Sequence, residues 1–483
     1  MTDNSLKGKT SQGLLWGGLS NSIQQLLQLV FGIFLARLLT PGDYGMVGML
    51  IIFSNIASSI KESGFTAALT NKKDASHLDF NAVFWCSTLL GIILYIILFF
   101  GAPLIARFYN QPQLTPLARL LFLGFLISST STAHYAYLFK HMMVRETALA
   151  QTIAIVVSGV AGVTMAFCGM AYWGIAIQNL TYIITVTLLA WYFSPWRPTL
   201  NIDLAPIHPM LNFSIKLLIT NIFRHINENI FSVLLGKLFK VSDVGFYSQA
   251  NKWSTMGQSL ISGMIRGVAQ PVLSEVNNDR ERLQRVFRKM LCFTAFISFP
   301  VMLGLALISE QLITIAVTDK WIDCVPIMQL LCIWGAFLPI LSLYQQMIIS
   351  QGKSDVIMWH SIITGVLQIV LLLLTAPYGI HTMVSAYVVF NIIYMLVWQH
   401  YIRQYTGVGY IDALKEIAPF ALMASATMIA THYITIYIDN IYLLFTAKIV
   451  VAVVIYIVLM SITNVSIYKE SITFVKQKLT QKK

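Results

Sequence analysis

The chain has 483 residues, of which 57% are hydrophobic and 11% are charged, and its formal net charge is +12. Soluble domains carry about 25% charged residues, so this composition excludes a water-soluble globular protein and predicts an integral membrane protein. The positive charge does not indicate a nucleic-acid partner, because cytoplasmic loops of membrane proteins collect Lys and Arg. We therefore expect membrane lipids, and no nucleic acid, around this chain.

Taken in chain order, fourteen apolar segments are long enough to span a bilayer. Backbone groups in lipid must bond within their own segment, and runs such as IILYIILFF lack the alternation of barrel strands. The sequence therefore predicts an all-α membrane protein with about 14 transmembrane helices. The predicted spans are 13–38, 43–70, 81–104, 115–139, 147–168, 171–193, 210–238, 243–270, 287–308, 326–350, 355–376, 380–402, 414–434 and 441–464.

A repeat at an offset of two hundred residues divides these spans into halves. The stretch ARLLTPGDYGMV follows the first span, and GKLFKVSDVGFY follows the seventh. The repeat predicts two parallel six-helix lobes around a central cavity, at 1–200 and 201–405, followed by two extra helices and a basic tail at 406–483. The matching signature residues are Arg37 with Lys237, Asp43 with Asp243, and Gly45 with Gly245.

The distribution of Lys and Arg predicts the orientation in the membrane. With the N-terminus inside, twenty of the 32 basic residues fall on inside segments and five on outside segments, and the remaining seven lie in spans. Such an excess of Lys and Arg is typical of cytoplasmic loops. We expect a multi-pass protein with both termini in the cytoplasm.

Ionisable and amide side chains in spans 1, 2, 7 and 8 are the candidate site residues. They recur at steps of about four residues, which keeps them on one helical face, and intramembrane charges usually face a cavity or a partner. Together, the polar faces of these spans carry more positive than negative charge, which suits an anionic ligand. The guanidinium of Arg can bind phosphate oxygens through its fork of donors. The substrate-binding candidates are Arg224, Lys61, Lys252, Arg266, Lys216, Gln24 and Gln28, and the coupling candidates are Glu228, Glu62 and His225.

A purely structural interpretation of these charges remains open. Arg224 and Glu228 are four residues apart and can neutralise each other. Lys216 and Arg266 can lie close enough to the cytoplasmic surface to extend into water.

No catalytic, metal or cofactor motif is present in the sequence. The five cysteines form no CxxC pair, and no HExxH or GxSxG occurs. Residues 352–354 read GKS, but Met347 stands where a phosphate-binding loop requires glycine. We predict that the protein is not an enzyme and that it uses no metal or cofactor.

The segment ARLLTPGDYGMVGM after a polar first span resembles the signature of bacterial polysaccharide exporters of the Wzx type. These belong to the multidrug/oligosaccharidyl-lipid/polysaccharide (MOP) superfamily. The segment 63–71 and Pro271 to Ser274 are also similar, although Val241 stands in the second copy where the first has Pro41. The resemblance covers essentially the whole chain. It implies alternating-access translocation of undecaprenyl-pyrophosphate-linked oligosaccharides across the bacterial cytoplasmic membrane, for O-antigen, capsule or exopolysaccharide.

The resemblance also implies partners and leaves alternatives. The implied ligand is a polyprenyl-pyrophosphate-linked oligosaccharide, and polymerase and chain-length proteins of the same pathway are implied as partners. One alternative is an exporter of the same superfamily that moves a peptidoglycan lipid precursor or a drug, although drug exporters usually need an acidic site. Another is an O-antigen polymerase or ligase, which typically needs a large periplasmic loop, whereas the longest outside connection here is about Ser309 to Val325.

Overall fold

The computed structural model describes residues 3–62, 69, 72, 74–463, 469 and 473. Within its helices it leaves the side chains of 3–19, 61–62, 209–217, 220 and 354 undescribed. Every regular element among the described residues is a helix. The predicted all-α fold class is therefore confirmed.

The chain groups into two compact units, Met1–Gly245 and Phe246–Lys483. The first unit contains nine helices of the described residues and the start of a tenth. They are α1 (Asp3–Leu38), α2 (Pro41–Gly48), α3 (Ile51–Glu62), α4 (His77–Tyr109), α5 (Leu114–Ser129), α6 (Thr132–Lys140), α7 (Val144–Phe167), α8 (Tyr172–Phe193), α9 (His208–Leu238) and α10 (Val241–Glu275).

The second unit takes the remainder of α10 and the helices that follow it. Short 3₁₀ turns at Asp319–Trp321 and Ala376–Tyr378 interrupt its connections. The helices are α11 (Arg280–Leu307), α12 (Ser309–Val317), α13 (Cys324–Ser350), α14 (Ser354–Thr375), α15 (Ile380–Thr406), α16 (Tyr410–Thr435) and α17 (Ile441–Ile462).

Ten helical segments of the described residues are long and apolar enough to cross a membrane, or eleven if α5 and α6, which bend by 48°, form one span. The predicted count of fourteen is therefore not confirmed. The other three predicted spans coincide with α1, α9 and α10, of 36, 31 and 35 residues. These helices carry the polar faces, and those polar residues lower their hydropathy.

The repeat is visible in the helix ends. The first polar helix of each half ends at Leu38 and at Leu238, and the next begins at Pro41 and at Val241. Helix α9 starts the second repeat in sequence, yet it packs against α3 inside the first unit. The lobe boundaries that the repeat predicts, at 1–200 and 201–405, therefore remain a prediction.

The connection between the sequence halves, residues 194–207, is held against the start of α4. The amide of Asn81 donates to the Asn201 carbonyl oxygen at 2.6 Å and accepts from the Thr199 N–H at 2.9 Å. The Trp85 indole N–H donates to the Thr199 carbonyl at 2.8 Å, and Trp196 is buried in the core beneath. These three hydrogen bonds fix the connection on α4 as a docked strap, so it is not a free linker.

Candidate substrate-binding site

The polar face of α9 combines an arginine, a histidine and a glutamate. Arg224 Nε lies 3.9 Å from Glu228 Oε1, and His225 Nδ1 lies 3.4 Å from Glu228 Oε2. The side chains of Arg224 and Glu228 are 57% and 56% exposed, whereas that of His225 is 18% exposed. The predicted ion pair between Arg224 and Glu228 is therefore present, but the distance between its charged atoms is long and both side chains are exposed.

Accessibility decides what this pair can do. A guanidinium that is more than half exposed on a membrane helix needs water, a counter-ion or a ligand around it, because hydrocarbon does not solvate it. An ion pair at 3.9 Å leaves most of the five N–H donors of the guanidinium available. Arg224 can therefore accept a second anion without first leaving a buried position.

The amides of α1 have two different environments. Gln24 is buried and its amide nitrogen donates to the Ala148 carbonyl oxygen and to Thr152 Oγ1, each at 3.3 Å. Its donors thus join α1 to α7. Gln28, one turn later, is exposed. Of the two predicted amides, Gln28 has the side chain with greater access to a ligand.

A mainly apolar cavity of about 550 Å³ with a few polar side chains lies beside Gln24 in the first unit. Asn21 of α1 borders it, together with Lys140, Thr147 and Gln151 from α6 and α7. The Lys140 ammonium donates to the carbonyls of Leu69, at 3.0 Å, and Lys72. Lys140 therefore borders this cavity and also binds backbone carbonyls of the connection that precedes α4.

In the second unit, α10 carries the other described candidates. Lys252 is partly buried, and Arg266 is exposed. Between them, Ser262 is buried and donates to Gln258 Oε1 at 2.8 Å. The side chains of Lys61, Glu62 and Lys216 lie outside the described residues, as does the family-like segment at 63–68. The roles predicted for all these residues stay predictions.

The signature residues of the repeat build helix caps. Asp43 Oδ2 accepts from the Thr40 N–H at 2.9 Å, and Thr40 Oγ1 accepts from the Asp43 N–H at 3.3 Å, which forms a capping box at the start of α2. The Thr40 hydroxyl also donates to Asp43 Oδ2 at 2.6 Å. In the second copy, Asp243 Oδ2 accepts from the Lys240 N–H at 3.2 Å. Caps satisfy the free N–H groups of a helix start, so the shared aspartate has a structural function.

The signature glycines allow the two copies to touch. A Cβ on Gly45 would overlap the carbonyl oxygen of Val241, and a Cβ on Gly245 would overlap the carbonyl oxygen of Pro41. Pro41 and Val241 are themselves the equivalent first residues of α2 and α10. The contact is thus reciprocal, and the close backbone approach explains why glycine stands at both positions.

The signature basic residues also lie close to helix ends. The Lys237 ammonium donates to the Phe108 carbonyl oxygen at 2.6 Å and lies 4.9 Å from the centre of the Phe108 ring. Beside it, a Cβ on Gly236 would meet Tyr109 and Met49 at 2.8 and 2.9 Å. Arg37 is exposed in the last turn of α1. These contacts join the C-terminal end of α9 to the C-terminal end of α4.

A hydroxyl-lined cavity of about 410 Å³ was missed by the sequence reasoning. It lies in the first unit at the break between α5 and α6 and is also bordered by Ser58 of α3 and by Tyr182 and Thr187 of α8. The signal was the run Ser128 to Thr132, SSTST, inside a predicted apolar span. Serine and threonine hydroxyls that bond back to their own helix favour bends.

The second unit has an apolar cavity of about 420 Å³ between α11, α16 and α17. Lys448 of α17 borders it and is 5% exposed. Its ammonium donates to the Leu307 carbonyl oxygen at 3.2 Å and to Gln311 Oε1 at 2.9 Å. The charge therefore compensates the carboxyl end of α11, where a cation is favoured.

Two relatives cover most of this chain. The chain is 26% identical over 358 residues to the lipopolysaccharide biosynthesis protein WzxC of Escherichia coli K12, covering 73% of this chain and 72% of WzxC. It is 23% identical over 446 residues to the teichuronic acid biosynthesis protein TuaB of Bacillus subtilis 168, covering 88% and 89%.

Solved structures give the fold. The lipid II flippase MurJ, in an inward closed conformation, matches with a TM-score of 0.78 at 17% identity over 95% of this chain and 100% of MurJ. An inward-facing multidrug transporter of the MATE family, in the MOP superfamily, matches with a TM-score of 0.62 at 16% identity, covering 84% and 96%. A family model described as polysaccharide biosynthesis protein matches residues 34–326. This multi-pass membrane chain therefore has the MOP fold and belongs to the polysaccharide biosynthesis protein family.

Proposed function

We propose that the protein is a flippase for polyprenyl-pyrophosphate-linked oligosaccharides, which it moves from the cytoplasmic to the periplasmic leaflet of the bacterial inner membrane. Its family, and relatives named for the biosynthesis of lipopolysaccharide and teichuronic acid, support a glycan substrate. The fold that it shares with a lipid II flippase supports translocation of a lipid-linked molecule. The oligosaccharide is destined for O-antigen, capsule or exopolysaccharide.

The accessible Arg224 guanidinium is the observation that carries this proposal. A pyrophosphate has several anionic oxygens, which match the planar fork of arginine donors. Glu228, at 3.9 Å, is the anion that occupies part of this fork when no substrate is bound. Substrate binding exchanges one weak ionic contact for charge-assisted hydrogen bonds, so Arg224 is not left as an uncompensated charge at any stage.

The other candidates fill subordinate roles in the proposal. Lys252 and Arg266 add positive charge on α10, and Lys61 and Lys216 do so on α3 and α9. The amide of Gln28 is a neutral donor on the accessible face of α1, and Gln24 supports it by fixing α1 on α7. Glu228, Glu62 and His225 are the groups proposed to exchange protons or cations during transport.

A peptidoglycan lipid precursor is the second candidate substrate, because the matched fold with the TM-score of 0.78 belongs to a lipid II flippase. It carries the same kind of pyrophosphate, so Arg224 would serve both substrates equally. Only the sugars differ between these candidates. The deciding measurement must therefore identify the glycan and not only the charge.

The test is the lipid-linked saccharide that accumulates when the gene is deleted. The proposal expects an undecaprenyl-pyrophosphate-linked repeat unit to accumulate on the cytoplasmic leaflet, and expects surface glycan to disappear while growth continues. Re-expression of the wild-type chain should restore both. Accumulation of the peptidoglycan precursor with cell lysis would favour the second candidate, and unchanged lipid-linked saccharides would contradict both.

A further inference from the structure

We propose that the hydroxyl-lined cavity at the α5–α6 break binds one neutral sugar ring of the transported glycan. This inference rests on the proposed function and deepens it, because it assigns a place to the saccharide as distinct from the pyrophosphate. The volume of about 410 Å³ lies within the range of small-molecule sites, roughly 300–1,000 Å³. The first unit alone forms this cavity.

The walls supply the chemistry that a sugar requires. Seven of the ten residues that border the cavity carry a hydroxyl group, and none of these ten is charged. Hydroxyls both donate and accept hydrogen bonds, as sugar hydroxyls do. Phe125, Tyr135 and Tyr182 add aromatic surface for the C–H face of a ring. An anion would be buried here without a counter-charge, which is unfavourable.

The helix break creates this lining. Ser128, Ser131 and Thr132 lie where α5 bends by 48° into α6. Ser128 Oγ donates to the Phe125 carbonyl at 3.3 Å, and Ser131 Oγ donates to the Ser128 carbonyl at 2.8 Å. The Trp191 indole N–H donates to the Thr130 carbonyl at 3.1 Å and holds the bend against α8. The hydroxyls are therefore on a fixed frame.

Three hydroxyls around the cavity have unused hydrogen-bonding capacity. Among the described residues, Thr132 Oγ1, Tyr135 OH and Thr187 Oγ1 are buried and have no hydrogen-bond partner. Leaving a buried polar group unpaired is unfavourable. Both threonines lie just beneath the cavity wall at 5% exposure, and a helical threonine has two accessible rotamers about its first side-chain bond. A sugar hydroxyl would give these groups partners.

The position fits uptake from the cytoplasmic leaflet. In the orientation that we propose, α5 and α6 run inward, and the break at Thr130 lies in the inner half of that path. Ser58, which borders the cavity, belongs to the polar face of α3. In that orientation, uptake from the cytoplasmic leaflet presents the sugars of the substrate on the side of the membrane where this cavity lies.

The test measures sugar binding by the full chain in lipid nanodiscs, using saturation-transfer NMR. The probes are methyl glycosides of glucose, galactose and N-acetylglucosamine. The variants are Thr132→Val with Thr187→Val, and Tyr182→Phe. The matched control is Thr164→Val, whose hydroxyl bonds to its own helix at Val160 and is exposed. Inorganic pyrophosphate is measured in parallel, and Arg224→Ala is the variant for that ligand.

We expect at least one glycoside to bind the wild type and the control equally, and to bind the double threonine variant about tenfold more weakly. Pyrophosphate binding should be unchanged by the threonine variants. Melting temperature should stay level or rise, because each valine removes an unpaired hydroxyl. A merely structural role for these threonines would not weaken glycoside binding.

The alternative results are distinct. If pyrophosphate binds and no glycoside does, or if the threonine variants bind glycosides as the wild type does, the sugar subsite is wrong and the proposed function stands. If sodium chloride stabilises the wild type but not the threonine variants, with no glycoside effect, the cavity is a cation site. If glycosides bind as expected but surface glycan export does not need the protein, the proposed function fails and the sugar site remains.

Discussion

At the scale of single residues, Arg224 has the clearest test. Arg224→Ala should abolish or strongly reduce glycan export at normal protein level, since charge-assisted hydrogen bonds contribute about 1.5–3 kcal/mol each. Arg224→Lys should be intermediate, because it keeps the charge and loses the fork. The measurement is surface glycan per molecule of membrane-inserted protein.

Arg403→Ala is the control, since Arg403 is an exposed basic residue in the last turn of α15. It should leave export nearly unchanged. Normal export by Arg224→Ala at native expression, or loss of export only because the protein disappears, would mean that Arg224 serves the ion pair with Glu228 alone.

The capping aspartates give a second residue-scale prediction. Asp43→Ala removes the carboxylate that accepts from Thr40, and loss of such a cap costs about 1 kcal/mol. The expected result is a lower melting temperature in detergent with no change in pyrophosphate binding. Asp243→Ala should have a similar but smaller effect because its bond, at 3.2 Å, is longer. Weaker pyrophosphate binding by either variant would show that the aspartates act on substrate.

At this scale, the spacing of residues along the sequence predicted one contact of α9 and failed to distinguish two amides of α1. Spacing by four residues placed Arg224 and Glu228 together, and the structure has them at 3.9 Å. The same spacing could not separate Gln24 from Gln28, because the partner that buries Gln24 is α7, more than a hundred residues away. The four-residue spacing of polar side chains identifies one face of a helix, but it does not identify the neighbouring helix that covers that face.

At the scale of helices, the reciprocal glycine contact predicts a large effect from a single methyl group. Gly45→Ala or Gly245→Ala would push a Cβ into a backbone carbonyl, and the backbone cannot rotate away as a side chain can. We expect a loss of about 1–3 kcal/mol of stability, or a shift to a conformation in which this contact is open. Thermal unfolding, together with cysteine accessibility at Lys240, separates these outcomes.

Gly101 in α4 and Gly263 in α10 are the matched controls. Among the described residues, a Cβ on Gly101 or on Gly263 would meet no atom within 4 Å outside the nearby backbone of its own helix. Alanine at these positions should be neutral or slightly stabilising, because glycine inside a helix costs about 0.5–1 kcal/mol. Equal tolerance of alanine at Gly45 and Gly101 would contradict the close approach described for the repeat.

The strap between the halves gives a second helix-scale prediction. Asn81→Ala removes a donor and an acceptor from residues 199 and 201, which should make segment 194–207 more sensitive to protease. Asn201→Ala is the control, because only its carbonyl takes part and its side chain is exposed. Equal cleavage of both variants and the wild type would contradict docking of the strap.

At the scale of the whole molecule, the bias of Lys and Arg predicts orientation. Single cysteines at Lys240 and Lys320 should be labelled from outside, and a cysteine at Arg282 only from inside. All three positions are exposed, so failure to label does not result from burial. Outside labelling at Arg282 would reverse the proposed topology.

The fold class followed from composition because only helices satisfy the backbone in lipid when strands are absent. Composition did not predict the number of membrane spans as firmly. Helices α1, α9 and α10 are long enough, but they carry many of the polar residues, and parts of α1 and α9 have side chains outside the described residues. The hydroxyl cavity could not be predicted either, because it is made by four helices, α3, α5, α6 and α8, whose contact depends on a bend.

Where the two copies meet, Gly45 approaches Val241 and Gly245 approaches Pro41. This reciprocal arrangement has the form of an isologous interface in a two-fold dimer. In a half-length ancestor, one gene segment would have supplied both sides, so every substitution would have changed the interface twice. Duplication and fusion of such a half would end that coupling. The two copies differ where only the carbonyl matters, with proline in one copy and valine in the other. They have kept glycine where a side chain would collide in either copy.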